Sequence, residues 1–372
     1  MKRTPLAILA IALLTTLSRS QQPPEPVPWV DVDTSEGGPS RIRTIDLVAL
    51  DDSHFIGCYQ LIGDRDSSGG TRVIRSADAG LTWTRTQTLP DVRDATLAWD
   101  GERLWLVASR GGRPTVLRSN EARAGHFVEP ARLRGDDLLI AVPTAVVHGD
   151  RIWRAFRRVL ALDCGQVNAQ ILVGSAKLGT DLCDPDMWRW SGERAAECVE
   201  AARFGSPMRF VVQGDMLSLT VEASDHAAPL SVLDVSPDGW TLTRRHTLPP
   251  WKHLPDGADR FDGVPSWFRA IGVDSAGESV TNLLTLVRSP DLETWQSPVL
   301  LHDPRESPIG FDHGTVRVVG DDLVILFAYR TDHRRNIHAG YIAPSTLAFL
   351  RVPKYVERKT SDAPMWGPRL PR

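Results

Sequence analysis

The amino-acid sequence predicts an all-β fold, a six-bladed β-propeller, and three observations carry that prediction. Helical periodicity is nearly absent, and short β-rich runs alternate with turns along the whole chain. One eight-residue turn, Ser76-Ala-Asp-Ala-Gly-Leu-Thr-Trp83, fits the pattern S-x-D-x-G-x-T-W at every defined position. Fainter copies of that turn recur at intervals suited to four-stranded blades.

Residues 42–50, 103–109, 141–148, 151–158, 283–288 and 323–330 are the typical runs, each short and β-rich. Between paired runs sit His148-Gly149-Asp150 and Gly320-Asp321-Asp322, where Gly or Asp supplies the backbone angles of a tight hairpin.

The turn at 76–83 accounts for its own composition. Asp and Ser bond the backbone of their own turn, Gly takes a conformation that a Cβ would oppose, and Trp packs under the hairpin. Ser289-Pro-Asp-Leu-Glu-Thr-Trp295 keeps Ser, Asp, Thr and Trp, and Ser236-Pro-Asp-Gly-Trp240 keeps Ser, Asp and Gly. Residues 119–127 and 175–188 are degenerate copies. The starting serines stand at 76, 119, 175, 236 and 289, so the intervals are 43, 56, 61 and 53 residues. Residues 310–352 add further runs without a copy and supply a sixth blade. Such a turn holds the edge of a hairpin together, so it reports fold and not activity.

At the N-terminus, Lys2-Arg3, an apolar run from Leu6 to Leu14 and a small polar exit from Thr15 to Ser20 form the three regions of a secretory signal. Cleavage is expected after Ser20. The apolar run is about half of the ~20 residues that span a bilayer, and no Cys follows it to take a lipid anchor. A secreted or periplasmic protein without membrane insertion is expected. Residues 21–40 open on a proline-rich stretch and read as an extended leader, with the folded part beginning between Trp29 and Arg41. Residues 41–355 read as the propeller and 356–372 as a flexible tail.

With 43 basic and 46 acidic residues interspersed and a net charge of -3, the surface has no single-signed field, which argues against a nucleic-acid partner. A monomer that takes a glycan or a small acidic sugar is expected instead. Cys58, Cys164, Cys183 and Cys198 contain no CxxC pair, so zinc is not expected. Cys164 with Cys183, or Cys183 with Cys198, would staple a long loop; buried free thiols are the equal alternative. The sequence has no phosphate-binding Gly loop, nucleophile elbow, H-E-x-x-H or EF-hand loop, and no cofactor or metal is expected.

The turn at 76–83 and its copies resemble the Asp-boxes of the sialidase, or BNR-repeat, superfamily over about residues 41–351. Residues 90–97, 146–155, 282–295, 300–304, 309–311 and 320–323 further resemble a group of exported bacterial proteins of the exo-alpha-sialidase-like kind. The resemblance implies a propeller of the sialidase type that hydrolyses a terminal sialic-acid-like sugar. In that chemistry an arginine cluster grips the sugar carboxylate in forked hydrogen bonds. A carboxylate nucleophile would be repelled there, so a neutral Tyr activated by a Glu attacks, and an Asp serves as acid/base.

Carried over residue by residue, the resemblance gives a partial set. Arg41 and Arg43 open the first strand where sialidases carry a carboxylate-binding arginine, without the usual Phe/Tyr-Arg-Ile-Pro context. Arg43, Arg154 in Trp153-Arg-Ala155, and Arg330 in Tyr329-Arg-Thr331 are the substrate-binding arginines it implies. Asp94 occupies the Asp of an Asp-Ala-Ser/Thr stretch, compatible with acid/base work or with capping a loop. Cys198-Val-Glu-Ala-Ala202 stands where the family has Trp-Leu-Glu-Gly-Asn, so Glu200 is the candidate activating acid. Asn336-Ile-His-Ala-Gly-Tyr341 keeps Asn336, His338 and Tyr341 of Asn-x-His-Asp-Ala-Asn-Tyr and lacks its Asp. Tyr341 is the candidate nucleophile, with strand packing as the alternative, and His313 and His338 are candidates to bind sugar hydroxyls.

The expected function is that of an exported sialidase-like glycoside hydrolase. A non-catalytic glycan- or protein-binding propeller is the alternative from another class. A five-bladed hydrolase or lyase acting on another sugar acid is a third reading, resting on Ser289-Pro-Asp-Leu-x-x-Trp295.

Overall fold

The computed structural model describes residues 29–34, 41–62, 68–128, 131–132, 139–163, 166–190, 198–199, 208–213, 215–221, 231–236, 242–247, 257–261, 264–269, 272–273, 279–280, 284–288, 299–302, 309–331 and 345–353. Among them the strands form antiparallel sheets of four or five strands and one two-stranded ribbon.

In the first sheet, Arg41–Ala49, Phe55–Ile62, Ser68–Ser76 and Thr84–Leu89 follow one another in chain order. The second runs Val92–Trp99, Leu104–Arg110 and Arg113–Glu121. The third holds Leu139–His148, Arg151–Asp163, Gln166–Lys177 and Arg189–Trp190. The fourth holds Met208–Gln213, Met216–Val221, Ser231–Val235 and Leu242–Thr247. The fifth holds Gly257–Phe261, Val264–Arg269, Leu284–Arg288 and Val299–His302. The sixth holds Ile309–Val319, Asp322–Thr331 and Thr346–Val352, with Val30–Thr34 as its outermost strand.

The first strands of successive sheets pack against one another, and that of the sixth packs against that of the first. These are called inner strands below. The starting serines of the repeated turns share one place in this scheme. Ser76 ends the third strand of its sheet, Ser119 and Ser175 lie in the last three residues of theirs, and Ser236 and Ser289 directly follow theirs.

The second sheet lies between two others, so its middle strand Leu104–Arg110 is covered on both faces, with six of seven residues buried. The cores therefore lie between sheets. Ile42, Leu47, Phe55 and Ile74 of the first sheet meet Leu326, Leu347 and Phe349 of the sixth. Cys58 and Val73 meet Val92, Leu97 and Leu106 of the second. Trp105 and Val116 meet Ile152 and Ala176 of the third, and Trp153 and Ile171 meet Phe210 and Leu219 of the fourth.

The turn at 76–83 is closed by its own side chains. Ser76 Oγ donates to Asp78 Oδ1 at 2.8 Å and accepts the Gly80 N–H at 2.9 Å. Asp78 accepts the N–H of Thr82 at 2.9 Å, and the Trp83 indole N–H donates to the Gly80 carbonyl at 3.0 Å. Gly80 has φ 92°, and a Cβ there would collide with the Phe349 ring. The copy at Ser289–Trp295 and most of the copy that starts at Ser236 lie outside the described residues.

The segment read as a leader contains a strand. Val30–Thr34 pairs antiparallel with Thr346–Val352, and Asp33 fastens it to the first sheet. The Asp33 carboxylate takes a forked pair from Arg85 at 2.8 and 3.0 Å and the Tyr59 hydroxyl, and Asp31 takes the Tyr329 hydroxyl at 2.9 Å. Among the described residues no helix is long and apolar enough to cross a membrane.

Candidate functional site

The first two inner strands run parallel, since matching positions meet: Thr44 faces Asp94 near their starts, and Asp46 bonds the backbone of Leu97 further on. Four inner strands are bulged in their first halves. The pairing slips between Arg43 and Asp46, Arg93 and Thr96, Ile140 and Thr144, and Phe311 and Gly314. A bulge re-aims side chains and ends regular pairing, which suits the rim of a binding site.

Two of these bulges hold a residue in the left-handed region: Thr44 with φ 46° and Asp94 with φ 50°. A β-branched residue at such an angle is an outlier. Asp94 is half-buried, its N–H donates to Gln60 Oε1 at 3.2 Å, and its Oδ1 accepts the Thr44 hydroxyl at 3.5 Å.

Past the bulges, five inner strands enclose a cavity of about 270 Å³. Thr96, Thr144 and Thr315 line it together with Asp46 and Arg317. Asp46 is 4 % exposed, and its carboxylate accepts Arg317 Nη2 at 2.6 Å, Leu97 N–H at 2.8 Å and Leu47 N–H at 2.9 Å. Arg317 also donates to the Val316 carbonyl at 2.8 Å. The inner edge of each first strand presents backbone groups that no further strand pairs. The ion pair satisfies several of them across three sheets.

Of the residues singled out in the sequence, Arg43, Asp94 and His313 all fall at these bulges, at the end where the inner strands begin. Arg330 lies beside them through its backbone pairing with Gly310. The side chains of Arg43, His313 and Arg330 are outside the described set, as are residues Glu200, Asn336, His338 and Tyr341 altogether.

Arg154 stands elsewhere. It is wholly buried between the second and third sheets, with its guanidinium 5.3 Å from the Trp188 ring and 5.5 Å from Trp190. Burial pushes it down to about 9. Among the cysteines, Cys58 is a buried free thiol 3.5 Å from the Ala95 carbonyl, and burial raises its pKa. Cys164 lies outside the described residues, as does the side chain of Cys198.

Asp46, Gln60 and Arg317 were not singled out in the sequence. The signal for Gln60 is a single amide inside the apolar run Phe55–Ile62, because a polar group placed where both faces are buried needs a partner. Asp46 shows the same signal inside Arg41–Ala49.

No protein-family model matches the chain, and no curated protein sequence matches it. Solved structures do. A sialidase of Trypanosoma rangeli, in complex with sialic acid, aligns over 91% of this chain at 15% identity with a TM-score of 0.58. The chain spans 59% of the length of that protein. The hemagglutinin-neuraminidase of parainfluenza virus 5 aligns over 88% of this chain and 94% of its own, at 8% identity and a TM-score of 0.54. A protein of unknown function from Dyadobacter fermentans aligns over 88% and 99%, at 10% identity and a TM-score of 0.59. Identities this low speak for architecture alone: the chain has a sialidase-like fold.

Proposed function

We propose that this chain is a six-bladed β-propeller of the sialidase type, exported and monomeric, that hydrolyses a terminal sialic-acid-like sugar of a glycan. The observation that carries the reading is the gathering of Arg43, Asp94 and His313 at bulges at one end of the inner strands, with Arg330 next to them. The cyclic packing of the inner strands supports the blade count.

In this reading Arg43 and Arg330 grip the sugar carboxylate, and His313 and His338 bond its hydroxyls. Tyr341, its proton taken by Glu200, attacks the anomeric carbon while Asp94 protonates the departing glycosidic oxygen. Water then displaces Tyr341 from the sugar, giving up a proton to Asp94, and Glu200 returns its proton to Tyr341. Arg154, enclosed by two tryptophans, is assigned to packing and not to the sugar.

A propeller that binds the same sugar without turnover is the second reading. It is favoured by the Asp missing from Asn336-Ile-His-Ala-Gly-Tyr341. Calorimetric titration of the mature protein with sialic acid and with its methyl ester tests the shared step. Binding of the acid and not of the ester is expected, and Arg330→Ala should abolish it. Equal binding of both, or of neither, contradicts the carboxylate grip.

A further inference from the structure

Four polar side chains converge on three consecutive residues of the second inner strand. Thr71 Oγ1 donates to the Val92 carbonyl at 2.8 Å, and Ser109 Oγ donates to the Arg93 carbonyl at 3.4 Å. Gln60 Oε1 accepts the Asp94 N–H, and Thr44 Oγ1 donates to the Asp94 carboxylate. Thr71 is 0% exposed, and Gln60 and Ser109 are each 5% exposed. Three of the four come from the first sheet and reach across to the second. Burying such groups is unfavourable unless they are bonded, so the sequence places a polar brace where apolar side chains would pack more simply.

What the brace holds is strained. Asp94 and Thr44 both take left-handed angles, which persist only where the surroundings over-determine them and which cluster at working sites. The geometry brings the Asp94 carboxylate to the Thr44 hydroxyl, over the junction of the first two inner strands.

We infer that Gln60 and Thr44 are positioning residues that hold Asp94 in its left-handed conformation and so aim its carboxylate at the sugar. The inference rests on the glycan reading above. A proton is exchanged at one carboxylate oxygen, and a displacement of about 1 Å is enough to cost on the order of a hundredfold in rate.

Thr44→Val keeps the branched shape and removes the hydroxyl, whereas Thr44→Ser keeps the hydroxyl. Gln60→Met removes the acceptor. With a fluorogenic sialoside, Thr44→Val and Gln60→Met are expected to lower kcat roughly tenfold to a hundredfold at nearly unchanged KM, and Thr44→Ser to stay near wild type. Thermal midpoints add an independent readout: Asp94→Gly should melt above Asp94→Ala, because glycine enters the left-handed region freely. Unchanged kcat in Thr44→Val and Gln60→Met, in an active wild type, overturns the brace and leaves the glycan reading intact. Asp94→Gly melting no higher than Asp94→Ala overturns the strain. A wild type that neither binds nor cleaves sialosides overturns the glycan reading, and the aiming role with it, whatever the midpoints show.

Discussion

Asp46 and Arg317 stand 271 positions apart in the chain and 2.6 Å apart in space. The first residue belongs to the first inner strand and the second to the last, and Asp46 also bonds the backbone of the second sheet. One carboxylate thus joins the first sheet to the second and the sixth at the wall of the cavity between the inner strands.

Removing the two partners should not be equivalent. Asp46→Ala leaves two buried N–H groups without their acceptor and takes the carboxylate from Arg317, which keeps its bond to the Val316 carbonyl, and a loss of about 3–5 kcal/mol is expected. Arg317→Ala leaves a buried carboxylate that has lost its cation but keeps two backbone N–H donors, so a smaller loss of about 1–3 kcal/mol is expected. Urea denaturation of the two variants measures the difference; equal losses would contradict it.

Two glycines with similar angles separate strain from collision. Gly80, with φ 92°, lies under the Phe349 ring, while Gly101, with φ 95°, has no neighbour within 4 Å of a would-be Cβ. Gly101→Ala should cost about 1 kcal/mol, for conformation alone. Gly80→Ala should cost about 3 kcal/mol or more, since the ring must also move. Their thermal midpoints decide it.

The tyrosines give a pH signature. Burial and the Asp31 carboxylate push Tyr329 up to about 12, and burial followed by Asp33 raises Tyr59 further. Between pH ~10 and ~12 the unfolded chain releases these protons first, so the folded state binds more protons and stability falls as pH rises. This contribution is fully present below about pH 10. Tyrosinate absorbance should show two of the four tyrosines ionising above the usual range, and stability should fall in the same window.

Arg154→Ala should unfold more easily, by about 2 kcal/mol or more, because the cavity left beside two indole rings outweighs the relief of the desolvation that lowers its pKa. Tryptophan emission should change with it, and KM should not. A raised KM at an unchanged urea midpoint would assign Arg154 to the sugar instead.

Much of the fold was legible because its chemistry is local. Ser76, Asp78, Gly80 and Trp83 bond within one turn, so eight residues specify it without help from the rest of the chain. The N-terminal strand was not legible in this way: Val30–Thr34 follows a proline-rich stretch, and its partner lies more than 300 residues on. Asp94 is singled out in the sequence by its motif. Its left-handed angle, and its dependence on Gln60 and Thr44, come from a neighbouring sheet. Arg154 reads in the sequence like any strand arginine; its burial is decided by Trp188 and Trp190, which follow a long turn.

In the proposed function Arg43, near the start of the first inner strand, and Arg330, paired beside the start of the last, bind a sialic-acid-like sugar. Release of the fluorophore from a fluorogenic sialoside by the purified mature protein, beside Arg330→Ala and Asp94→Asn, tests it most directly. The account predicts release by the wild type and its loss in both variants. No release by the wild type, or equal release by all three, would contradict it.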